Sequence, residues 1–167
     1  TWGGAVYIKK PGQSQFRALT DLRTNKPYMA PYSIEKLQAW GDEKLYVGTF
    51  GDGLIELVLN PQYMGIVEDK KWDIANGGTN LRFIIDFYRQ NDTTLWIGGE
   101  GGLARFNPQT KQSIYYSRTS GLPFSVIQAI TAGPKGRMWV SSDNGIASLT
   151  MQGDSITEAR RYTAEDN

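Results

Sequence analysis

The chain has 167 residues and a formal net charge of +1, with 18 Lys and Arg against 17 Asp and Glu. That length suits one domain with its own core, and the near-balance of charge removes the electrostatic footprint of a nucleic-acid binder. Cysteine and histidine are both absent. Their absence excludes disulfides, thiolate chemistry and Ser-His-Asp or Cys-His nucleophile sites, and leaves a metal only carboxylate and carbonyl oxygens.

No window approaches about 18 consecutive apolar residues, so no segment reads as a membrane span. The chain opens on Thr1-Trp2-Gly3-Gly4 without an initiator Met, basic region or apolar signal core, and Thr1 reads as a cut or processed end. Nineteen glycines and 12% aromatic residues suit many short strands joined by tight turns.

In chain order, the first element is half a unit within residues 1–18, carrying Gly4-Ala5-Val6-Tyr7-Ile8. Three whole units follow, at 34–67, 81–116 and 124–162. Each opens on an apolar strand: Ile34 to Trp40, Leu81 to Tyr88, Val126 to Thr131. A polar turn leads to an aromatic strand, Leu45-Tyr46-Val47-Gly48, Leu95-Trp96-Ile97-Gly98 or Met138-Trp139-Val140-Ser141. A second tight turn leads to a third strand at Gly53-Leu54, Gly102-Leu103 or Gly145-Ile146. Gly4, Gly53, Gly102 and Gly145 are spaced 49, 49 and 43 residues apart. That period is the one expected of four-stranded propeller blades.

Weaker strands close the units at Gln112 to Tyr116, Ile156 to Tyr162 and Tyr63 to Val67, and Lys70 to Ile74 reads as loop. The glycines opening the third strands meet the positive φ that a short antiparallel connection needs. Tyr46, Trp96 and Trp139 are bulky rings suited to the wedge between adjacent sheets.

On these residues the sequence resembles the two-component regulator propeller repeat family. The match is fullest over residues 95–140, through Leu95-Trp96-Ile97-Gly98, Gly102-Leu103-Ala104-Arg105-Phe106-Asn107-Pro108, Ile114-Tyr115-Tyr116, Gly121-Leu122-Pro123 and Val126-Ile127-Gln128-Ala129-Ile130. The first whole unit has Leu59-Asn60-Pro61 and no Gly-Leu-Pro, and the last has Ser141-Ser142 where Gly-Thr is usual. The resemblance implies large extracytoplasmic propellers on bacterial membrane-anchored sensors that carry histidine kinase, hybrid two-component or diguanylate cyclase modules, with carbohydrate fragments as frequent stimuli. From it come an all-β propeller fold, a partial arc of about 3.5 blades, and a periplasmic location.

An open arc leaves two apolar faces bare, so further blades or self-association should cover them. Tyr162 to Asn167 sits where Tyr116 to Ser120 precedes Gly-Leu-Pro, so another unit should follow.

In such a meander the second-to-third-strand turns and the links between units share one end, where binding loops belong. Residues there that the repeat does not demand are Tyr28, Tyr32, Trp72, Asn80, Arg82 and Phe124, with Glu100 in the turn of the middle unit. As exposed rings beside amides and a guanidinium, they would stack on sugar faces and bind hydroxyls. Trp72, flanked by charges, stands out. The alternative is that the rings cap strand ends while the polar groups are solvated. Asp52, Glu100 and Asp143 recur at equivalent turns, where each carboxylate caps its own backbone more simply than it would hold Ca²⁺. No catalytic residue, metal or cofactor is expected. The leading reading is a non-catalytic sensing segment; a propeller lyase or lactonase fragment and a pure interaction scaffold are the alternatives.

Overall fold

The computed structural model describes residues 4–10, 12–62 and 65–162. Among these it is all-β, with sixteen strands, three short 3-10 turns and no α-helix. At the N-terminus β1 (Tyr7–Ile8) pairs with β2 (Arg17–Ala18), and β3 (Thr20–Asp21) with β4 (Lys26–Pro27). The ladder continues past residue 18: Leu19 donates its N–H to Val6 at 2.7 Å, Tyr28 to Leu19 at 2.8 Å and Ala30 to Gly4 at 2.8 Å. Strand pairing thus extends into the link that precedes the unit at 34–67.

Three four-stranded meanders follow. The first runs β5 (Ile34–Trp40), β6 (Lys44–Thr49), β7 (Leu54–Asn60) and β8 (Gly65–Trp72). The second runs β9 (Ile84–Asn91), β10 (Thr94–Gly99), β11 (Gly102–Phe106) and β12 (Ser113–Tyr116). The third runs β13 (Ala129–Ala132), β14 (Met138–Ser142), β15 (Gly145–Gln152) and β16 (Ser155–Tyr162). Consecutive strands in each are antiparallel neighbours, and β3 adds to the first sheet by pairing parallel to β8. Gly53, Gly102 and Gly145 take φ of 75°, 143° and 113°, the region a short connection requires and a side chain resists.

The first closing strand differs from the expected one. It starts at Gly65, with Tyr63 and Met64 outside the described residues, and runs on to Trp72, so Lys70 to Trp72 is strand and not loop. Its register sets Trp72 opposite Leu54, as Tyr116 lies opposite Leu103 and Tyr162 opposite Ile146. Trp72 thus occupies the repeat's own aromatic position on the fourth strand. Its exposed run Val67 to Lys71 is polar after Val67, which hides the alternation that would mark a strand.

The core divides into three seams, one between each successive pair of sheets. The first joins Val6, Leu19 and Tyr28 to Val47, Ile55, Leu57 and Ile66. The second joins Tyr46, Leu54 and Trp72 to Ile84, Phe87, Leu95 and Phe106. The third joins Trp96, Leu103 and Tyr116 to Ile127, Ile130, Val140 and Leu149. Neighbouring residues of a strand face opposite seams, as Tyr46 and Val47 do, because side chains alternate across a sheet. Tyr46 and Trp96 are buried in the seams as expected, whereas Trp139, on the last sheet, is half-buried against Tyr162 at a 5.2 Å ring distance.

The glycine after the aromatic is needed for this stacking. A Cβ on Gly48 would lie 2.6 Å from Ile84 Cγ2, and one on Gly98 2.6 Å from Ile127 Cγ2. These two glycines let the first strand of the next sheet close in.

Candidate functional site at the loop end of the middle seam

After β8 the chain leaves the sheet through Asp73 and a 3-10 turn, Ile74–Asn76, that ends on Gly77 with φ 82°. The link after β12 has the same design, with Ser117, Arg118–Ser120 and Gly121 at φ 87°. In both, the following N–H returns to the capping residue: Gly78 to Asp73 at 2.7 Å and Leu122 to Ser117 at 3.1 Å. Where Leu122 fills the later seam, the earlier one has a glycine. A cavity of about 240 Å³ lies at this end of the middle seam, walled by Gly53, Trp72, Thr79 and Leu81. Its rim carries Asp52, Lys71, Asn80 and Arg82.

Three residues singled out in the sequence therefore meet around one cavity: Trp72, Asn80 and Arg82. Asn80 and Arg82 are exposed. Arg82 is held from behind. Its Nε donates to the Gly51 carbonyl at 3.2 Å, and its own carbonyl accepts the N–H groups of Gly51 and Gly53 at 2.9 and 3.0 Å. Lys71 forms an ion pair with Asp52 across the rim.

Tyr32 and Glu100 extend the same surface. The Tyr32 ring lies over Gly51, whose Cβ would stand 2.7 Å from its Cδ1, and about half of Tyr32 is exposed. Glu100 is exposed, and its N–H donates to the Phe83 carbonyl at 3.0 Å. Between them stands an aromatic pair that the sequence reading left out, Phe50 and Phe83, with ring centres 4.7 Å apart. Phe50 bridges to Phe83 as Glu100 bridges to Val126, so an exposed phenylalanine stands where the next unit has a carboxylate. That substitution within the repeat is the sequence signal that would have found it.

Three expectations of exposure are corrected. Trp72 is 7% exposed, Tyr28 7% and Phe124 3%. Tyr28 belongs to the first seam, and burial, with the Asp69 charge nearby, pushes its phenol up to about 12. Phe124 belongs to the third seam, with the Arg161 guanidinium 5.1 Å from its ring centre. Trp72 forms only the inner wall of the cavity. Its indole N–H donates to Glu56 at 3.2 Å, and the Lys70 and Lys111 ammoniums lie 4.3 and 5.3 Å from its ring centre.

Behind Trp72 lies a buried polar cluster. Glu56 accepts a hydrogen bond from Tyr46 at 3.0 Å, pairs with Lys111 from the second sheet, and has Lys44 at 3.4 Å. Burial alone would raise the Glu56 carboxyl, but the hydrogen bond and charge of Lys111 outweigh it and hold the group below the usual range. Burial, then the Glu56 charge, drives the Tyr46 phenol far up.

The turn carboxylates do not cap their turns. Thr49 Oγ1 takes the Asp52 N–H at 3.1 Å, and Ser142 Oγ takes that of Asn144 at 3.2 Å. Among the described residues no three acidic side chains converge as a cation site.

No family model and no curated protein matches the sequence. Solved structures do. One is described as the extracellular domain of the hybrid two-component system BT3049 from B. thetaiotaomicron. It aligns at a TM-score of 0.70 and 16% identity, over 99% of this chain and 21% of that one. A second, described as the extracellular domain of the one-component system BT4673 from B. thetaiotaomicron, aligns at 0.69 and 13%, over 96% and 22%. A third is PorZ, described as a surface component of the type-IX secretion system of Porphyromonas gingivalis; it aligns at 0.61 and 16%, over 99% and 24%. The fold is shared, and this chain spans about a fifth of the length of those structures.

Proposed function

We propose that this chain is a β-propeller segment of about three and a half blades in the extracytoplasmic sensor domain of a bacterial two-component-type receptor. On this reading it is non-catalytic and periplasmic, it binds a small hydroxylated ligand such as a carbohydrate fragment, and the remaining blades complete the ring. The propeller reading is supported by the recurring meanders, the apolar seam between each pair of sheets, and the fold shared with two extracellular receptor domains. The absence of histidine and cysteine weighs against a lyase or lactonase centre within these residues. No helix among the described residues is long and apolar enough to cross a membrane.

The observation that carries the ligand reading is the surface at the loop end of the middle seam. There Tyr32, Phe50 and Phe83 offer ring faces and edges beside the polar groups of Asn80, Arg82 and Glu100. Rings that match the apolar faces of a sugar, with a few polar groups for its hydroxyls, are what such a ligand requires. Glycan-array binding by the receptor ectodomain, repeated with Tyr32→Ala and Arg82→Ala, tests it. A glycan bound by the parent and lost by both variants supports the site; one bound equally by all three removes it.

A second reading, a surface scaffold that binds protein and no small ligand, is favoured by the likeness to PorZ. A receptor ectodomain that retains no glycan yet co-purifies with a defined outer-surface complex through this face would favour it.

A further inference from the structure

We infer that the opposite, hairpin end of the third seam holds a separate binding site for a small carboxylate. The two seams differ at one pair of positions. On β7, Glu56 stands opposite Tyr46 and pairs with Lys111 in the hairpin of the next sheet. On β11 the equivalent residue, opposite Trp96, is Arg105. Arg105 reaches the hairpin of the third sheet, its Nη1 donating to the Gly153 carbonyl at 3.0 Å and its Nη2 pairing with Asp154, so the bridge between sheets is kept with its charges reversed.

A cavity of about 290 Å³ remains, lined by Tyr88, Gln90, Trp96, Arg105, Arg137 and Met151 among others. And Tyr116, which holds the place of Trp72, is left with a hydroxyl that is buried and has no hydrogen-bond partner among the described residues. In the middle seam, Trp72 gives its N–H to Glu56; here the repeat supplies no acceptor.

The groups around this space are donors. Trp96 Nε1 donates to Gln90 Oε1 at 2.8 Å, so the side of Gln90 that stays open is its NH₂. Arg137 has only Glu158, at 3.9 Å, as an ionic partner among the described residues. Two guanidinium groups and an amide NH₂ call for an acceptor with negative charge, and guanidinium forks suit a planar carboxylate. The Trp96 and Tyr88 side chains give that acceptor an organic body to rest on. Asp154, about two-thirds exposed, is the group a ligand carboxylate would displace from Arg105. The volume suits a single acidic monosaccharide or a small organic acid.

Calorimetric titration of the protein with sodium glucuronate, glucose and sodium acetate tests this site, alongside the variants Arg137→Gln and Arg105→Gln. Glucuronate should bind and glucose should not, with each variant weakening glucuronate by about tenfold, the scale of one charge-assisted hydrogen bond. Acetate that competes with glucuronate on equal terms assigns the site to free organic acids, and acetate that does not compete assigns it to acidic sugars. Equal binding of glucose and glucuronate, no binding of either acid, or variants that bind glucuronate like the parent would overturn the proposal.

Discussion

Ile130 donates its backbone N–H to the Asp86 carboxylate at 2.8 Å, from the opening strand of the third sheet to that of the second. The same carboxylate receives Lys36 from the first sheet at 2.6 Å. One side chain on β9 therefore ties three opening strands together, and its position follows from the register that sets Asp86 opposite Gly98.

Asp86→Ala should lower unfolding stability by about 2 kcal/mol, chiefly because the buried Ile130 N–H loses its acceptor. Asp86→Asn keeps an acceptor and should cost less. Urea denaturation of the two variants checks the ranking, and equal losses would mean that the Lys36 charge matters more than the N–H.

Glu56 makes stability fall in acid. Its folded carboxyl lies below the value of 4.5 that it has when free. Its contribution is therefore fully present above that value and is lost as pH falls through the lower folded value. Glu56→Gln should flatten the pH dependence of the melting midpoint below about pH 5, the upper end of the carboxylate range. Lys111→Ala should cost about 2–3 kcal/mol at neutral pH, because the buried carboxylate then keeps only the more exposed Lys44 as an ionic partner.

Tyr28 acts at the other limit. Burial raises its phenol from 10.0 to about 12, so its contribution is complete below pH 10.0 and is lost as pH rises towards 12. Absorbance titration of the phenols should show a late step near pH 12 that Tyr28→Phe removes.

Trp72→Ala should cost about 3–5 kcal/mol by opening the middle seam. Arg82→Ala and Asn80→Ala, both on exposed positions, should change stability by no more than about 0.5 kcal/mol. Lost ligand response in Trp72→Ala alone would therefore report on folding, whereas loss in the two surface variants, with melting unchanged, assigns the rim of the cavity.

Much of the fold could be read locally. Strand alternation, the glycines at positive φ and the spacing of Leu45-Tyr46-Val47-Gly48 with its two counterparts are properties of a few adjacent residues, so the sequence alone determined an all-β chain of short antiparallel strands, whereas the parallel pairing of β3 with β8 was not legible in it. The burial of Trp72, Tyr28 and Phe124 was decided by tertiary structure, because it depends on which strand each residue pairs with and which seam that register faces. The charged neighbours of Trp72 face solvent while its own ring turns inward, and that contrast is visible only once Leu54 stands opposite it. The same holds for both cavities. Glycine at 78 and arginine at 105 are ordinary residues in the chain, and each becomes a feature of the surface only once the neighbouring sheet stands against it.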